Sequence, residues 1–202
     1  MKSTASAAPS ATSSAGADQN VTLRVLVAGV GNVLRQDDGF GIAVVHHLLD
    51  QPALPPGVTV VETGIAGIRM VQELLDGYDV LIIADAVQRQ GEPGQLYLLE
   101  AEVPDIDDLS YAERTDFLAD MHFTNPTRAM MLAKALKVLP PQVYVLGCQP
   151  AAYDDFDLGL SQEVKAIIPQ AAAQILNWID ELNHRSKTQA AQAGRHGEPN
   201  GR

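Results

Sequence analysis

The chain has 202 residues and a formal net charge of −11, with 46% apolar and 19% charged residues. That length and balance suit one globular domain with a real core. The excess of acid argues against binding to nucleic-acid phosphates or to an anionic membrane surface, and no stretch approaches the roughly 18 apolar residues that span a bilayer.

Residues 1–20 hold six Ala and five Ser without a signal-peptide core or the Arg content of a transit peptide, and read as a disordered tail. From Leu23 the pattern alternates strand and helix. Residues 23–29, LRVLVAG, form a strand apolar on both faces, as in a parallel sheet. It ends in the loop Gly29-Val30-Gly31-Asn32. A helix follows over 39–50, then a strand over 58–62 and a short helix over 67–76. DVLIIADAV at 79–87 is the most apolar strand and is expected at the centre of the sheet. QLYLLE at 95–100 follows a Pro-Gly turn and suits an antiparallel edge strand.

Residues 101–121 resist assignment. Between Glu100 and Asp120 lie eight acidic residues and one Arg, either a solvated loop or a face for a basic partner. Asn125-Pro126 reads as an N-cap with Pro at the first helical position, opening a helix to about Val138. VYVLGC at 143–148 is the last strand. It ends in Cys148, the only cysteine, which rules out an intrachain disulfide and reads as a buried small hydrophobe. Ser161 caps a final helix reaching Leu182, which Pro169 is expected to kink or split. Residues 184–202 read as a second polar tail. The fold expected is a single-domain three-layer α/β sandwich over 21–183. Its mostly parallel twisted sheet has about five strands, with helices on both faces. In such sheets ligands bind outside the carboxyl ends of the strands.

Four residues there carry chemistry. Asp37 and Asp38 precede the helix at 39–50, where an N-cap role competes with a functional one. They occupy the place of a pyrophosphate, and the third glycine of a dinucleotide fingerprint is replaced by Leu34, so nucleotide binding is disfavoured. Asp85 closes a buried strand, where a charge needs a hydrogen-bond partner or a metal. His122 precedes a helix that leads into a parallel strand, and is either a polar loop residue or a neutral ligand. Asp38, Asp85 and His122 would converge on one edge as a three-ligand site suited to nickel or zinc. Zinc-protease, nucleophile-elbow and phosphate-loop motifs are all missing. Residue chemistry alone therefore stops at a metal-binding α/β protein, with hydrolysis one option.

The motifs GVGNVLRQDDGFG at 29–41, TGIAG at 63–67, IIADAV at 82–87, His122, GCQP at 147–150 and GLS at 159–161 resemble the hydrogenase maturation endopeptidases. The resemblance spans roughly residues 22–182 and departs from the family pattern at Arg128, where many relatives carry an acid. It implies a cytoplasmic endopeptidase that removes the C-terminal extension of a nickel–iron hydrogenase large-subunit precursor after nickel insertion. Asp38, Asp85 and His122 would then be both metal ligands and catalytic residues. The nickel would come with the precursor, and zinc or another divalent ion could substitute. A same-fold endopeptidase acting on another protein and a non-enzymatic metal- or ligand-binding module are the alternatives.

Overall fold

The computed structural model describes residues 22–65, 67–119, 126–151 and 158–195. The N-terminal tail, His122 and Asn125 lie outside them. The strands are β1 (Val25–Val30), β2 (Val58–Gly64), β3 (Val80–Ala86), β4 (Leu96–Glu100) and β5 (Gln142–Cys148). The helices are α1 (Phe40–Leu49), α2 (Gly67–Leu74), α3 (Tyr111–Ala119), α4 (Pro126–Ala135) and α5 (Gln162–Arg195).

The strands form one sheet in the order β2-β1-β3-β5-β4. All neighbours pair parallel except β4, which runs antiparallel to β5 at the edge. The apolar runs expected to be buried on both faces are so placed: every residue of β1 is buried, and β3 is buried from Val80 to Ala84. Alternation along the strands feeds two cores. Val25, Val27, Val80, Ile82 and Leu146 face α1 and α5. Leu26, Ala28, Leu81, Ile83 and Val143 face α2 and α4. The architecture is the expected three-layer α/β sandwich.

Pro126 starts α4 as expected, but the helix ends at Ala135 rather than near Val138. Lys137 adopts a left-handed φ of 61°. Its N–H donates to the Lys134 carbonyl and the Val138 N–H to the Ala133 carbonyl, a Schellman ending. The final helix also differs from expectation. Pro169 does not divide it; Pro169 and Lys165, whose carbonyl would otherwise accept from position 169, are both on the exposed side of the helix. Val164, Ile168, Ala171, Ile175, Ile179 and Leu182 form an unbroken buried stripe that holds both halves on the sheet. α5 continues to Arg195, through residues read as polar tail. Ala, Gln, Lys and Arg are good helix formers, and a helix already anchored upstream extends without a new nucleus.

Candidate active site

Asp37 and Asp38 lie in a 3-10 turn, Gln36–Gly39, between β1 and α1. Neither caps α1, whose N-cap is Gly39 and receives no side-chain hydrogen bond. The two aspartates have opposite roles. Asp37 is only 1% exposed. Its Oδ1 accepts from the Ser161 N–H at 2.7 Å and its Oδ2 from the Ala151 N–H at 2.9 Å. It ties the first loop to the chain on either side of the segment between β5 and α5. Ser161 in turn caps α5, its hydroxyl accepting from the Val164 N–H at 3.3 Å. The Asp37 carboxylate is thus committed to structure.

Asp38 is partly exposed, and its Oδ2 accepts from the Asn32 N–H at 3.1 Å. Two glycines bring it to the strand ends. Gly31 has φ of +138°, and a Cβ there would collide with the Asp38 carbonyl. A Cβ on Gly41 would strike the carbonyl oxygens of Ala84 and Val30. The start of α1 therefore packs backbone-to-backbone on the carboxyl ends of β1 and β3, one residue before Asp85.

Asp85 pairs in register with Gly147 and follows Ala84, which pairs with Gly29. Its side chain shares the sheet face of Leu81 and Ile83. Burial first, and the neighbouring Asp38 carboxylate second, push the Asp85 carboxyl up to about 7, while the Ala86 N–H acts in the opposite direction. The expectation that Asp38 and Asp85 share the carboxyl edge therefore holds. His122 lies outside the described residues, and the ligand triad is placed only for its two aspartates.

Asp85 opens into a cleft of about 830 Å³ between the β3, β5 and β4 strands and the start of α4. Its lining is mixed: Ile83, Val87, Leu99, Val145 and Met130 supply apolar wall, and Asp85, Arg89, Glu100 and Thr127 supply polar groups. The loop after β3 is set by Gln149, a buried residue of the GCQP motif that residue chemistry alone did not single out. Its Oε1 accepts from the Arg89 N–H at 2.8 Å and the Gly91 N–H at 3.2 Å. Cys148 is fully buried and its thiol is pushed up to about 12, chiefly by burial, which bears out the reading of an inert hydrophobe.

A doubly wound sheet with two neighbouring aspartates at its carboxyl edge, beside a cleft of mixed lining, defines an α/β protein with an acidic site built from a loop and a strand end. Comparison with known proteins is specific about which. A family model described as hydrogenase maturation protease matches residues 42–178, covering Asp85 and His122 and starting four residues after Asp38. The hydrogenase expression/formation protein HupD of Bradyrhizobium diazoefficiens is 32% identical over 168 residues, 81% of this chain and 83% of that one. HupM of Azotobacter chroococcum is 32% identical over 158 residues, 78% of this chain and 72% of that one. Among solved structures, the hydrogenase maturating endopeptidase HybD from E. coli superposes with a TM-score of 0.62 at 26% identity, covering 79% and 93% of the two chains. A hydrogenase 2 maturation peptidase from a Thaumarchaeota archaeon gives 0.56 at 35% identity, covering 77% and 97%. The chain belongs to the hydrogenase maturation protease family.

Proposed function

We propose that the protein is a nickel-gated endopeptidase. It removes the C-terminal extension of a nickel–iron hydrogenase large-subunit precursor after nickel insertion, in the cytoplasm. The observation that carries the reading is the Asp38–Asp85 pair. Burial, reinforced by the neighbouring Asp38 charge, pushes the Asp85 carboxyl up to about 7, so an ionised Asp85 is costly without a cation beside it. A divalent ion removes that cost, and oxygen donors with an imidazole from His122 make a set suited to nickel or zinc. Among the described residues no group of three His, Cys, Asp or Glu is close enough to hold a metal by itself.

In this reading, Asp38, Asp85 and His122 complete the coordination of nickel carried by the precursor, and so position the scissile bond at the mouth of the cleft. The ion supplies Lewis acidity there. Asp85 releases its proton to solvent on binding, and its carboxylate can then take a proton from the attacking water and pass it to the departing amine, a role suited to a carboxyl titrating near neutrality. Arg89 and the apolar wall orient the peptide chain. A precursor without nickel offers the pair nothing to grip.

The test mixes purified enzyme with nickel-loaded and nickel-free precursor and follows the mass of the large subunit. Only the loaded form is expected to shorten, and Asp85→Asn is expected to lower kcat/KM by about a hundredfold or more. Equal cleavage of both forms overturns the gating. No cleavage of any loaded precursor overturns the substrate.

A further inference from the structure

Large apolar side chains exposed singly on a protein surface are ordinary, but a cluster around a site is not. Among the described residues, four stand at the carboxyl edge of the sheet: Val33 at 51% exposed, Leu34 at 54%, Ile65 at 52% and Leu158 at 76%. They come from three separate segments. Val33 and Leu34 lie on the loop that carries Asp38, Ile65 directly follows β2, and Leu158 stands shortly before α5.

Hydrogen bonds hold the segments together. The Gly31 N–H donates to the Gly64 carbonyl at 3.2 Å, joining the first loop to the end of β2. The Asp37–Ser161 bond joins it to the start of α5. Between Val33 and Leu158 lies a hollow of about 320 Å³, lined mainly by apolar groups that include Ile42, Ala43 and Leu160. This hollow shares no lining residue with the cleft beside Asp85.

We infer that this apolar rim is a docking surface for the folded body of the protein substrate, separate from the cleft that takes the peptide to be cut. It receives one or two large apolar side chains from the substrate surface. The inference rests on the proposed function, because it takes that precursor as the partner. Continuity with the site identifies the occupant. A chain delivering a peptide to Asp38 must lie against the loop that presents Leu34. A free peptide needs only the cleft, whereas four exposed apolar residues on three segments match a surface.

The experiment compares L34S/L158S with L75S/L136S, using the nickel-loaded precursor that the wild type cleaves. Leu75 and Leu136 are equally exposed but follow the ends of α2 and α4, away from the loop of Asp38. The rim variant is expected to raise KM roughly tenfold or more at nearly unchanged kcat, and to weaken capture of the precursor to the same degree. The control variant is expected to match the wild type. Circular dichroism and thermal melting check that both are folded, and these exposed positions leave the core intact. If L34S/L158S keeps the wild-type KM, or if both variants weaken equally, the inference falls. It also falls if the wild type self-associates through this rim and the rim variant is merely monomeric. Failure of the proposed function looks different: the wild type itself then cleaves no loaded precursor.

Discussion

Neighbouring residues of one type divide structure from chemistry in this molecule. Asp37 and Asp38 look equivalent in the sequence, yet one is consumed by two backbone N–H groups and the other is partly exposed, near enough for its charge to raise the Asp85 carboxyl. The partners of Asp37 lie 114 and 124 positions further on, so no local pattern reveals them. Asp85 was legible, because a carboxylate closing a buried strand demands a partner. Its titration gives a signed prediction. The carboxyl is raised from an ordinary 3.8 to about 7, so the metal-free folded state holds a proton that the unfolded chain releases. The stability associated with that proton is fully present below about 3.8 and is lost as pH rises towards 7. The loss is at most about 4 kcal/mol, and less to the extent that water reaches the carboxylate from the cleft. Asp85→Asn removes the ionisation. Urea unfolding of metal-free protein is expected to show the variant more stable than wild type at pH 8, with the gap closing towards pH 5. A gap that is constant with pH would contradict the raised carboxyl.

The helices show where pattern suffices and where it does not. α1, α2 and α4 carry apolar residues at helical spacing, and each lies over the stretch that this spacing predicts, with differences at its ends. α3 lay in the acidic stretch that resisted assignment; among its side chains described, Phe117 is the one large buried core residue. A start signal was present nonetheless. The Ser110 hydroxyl accepts from the Glu113 N–H at 3.3 Å, and the Glu113 carboxylate accepts from the Ser110 N–H at 2.9 Å. This is the capping box of Ser-x-x-Glu, which does not need an apolar run to form. The close seat of α1 on β3 depends on Gly41, and two effects compete when it is replaced by Ala. Helix propensity favours Ala by about 1 kcal/mol. The added methyl would strike two backbone oxygens that cannot rotate away, and such overpacking costs typically about 1–3 kcal/mol. Gly41→Ala is therefore expected to destabilise the protein by a net of about 1 kcal/mol in urea titrations. It should also weaken precursor cleavage by moving Asp38 away from Asp85. An unchanged or higher midpoint would show that α1 can shift without cost.

At the scale of the whole molecule, the mostly parallel sheet, the central place of β3 and the single antiparallel edge followed from strand–helix alternation, apolar content and the Pro-Gly turn, whereas the strand order came only with the structure. The extent of α5 did not follow, since a polar sequence can be a tail or a solvated helix, and composition alone does not separate the two. The contacts divide this helix at about Asn183. Leu182 is its last core residue, and the Asn183 Oδ1 accepts from the Leu23 N–H at 2.9 Å, fastening α5 to the start of the sheet. Arg185 lies over the Trp178 ring at 4.8 Å, and this contact is confined to one helix face. Beyond Lys187 the residues up to Gln192 are exposed, and Thr188 returns its hydroxyl only to the His184 carbonyl. A helical extension of that kind buries little apolar surface, and its hydrogen bonds compete with water at close to even terms. Truncation after Lys187 is accordingly expected to leave the thermal midpoint within about 2 °C of the full chain. Asn183→Ala, which leaves the Leu23 N–H unsatisfied, is expected to cost about 1–2 kcal/mol, a shift of several degrees. Thermal melting of the three proteins decides it. A truncated chain that melts as low as Asn183→Ala would mean that the extension packs on the molecule and that the fold continues past Lys187.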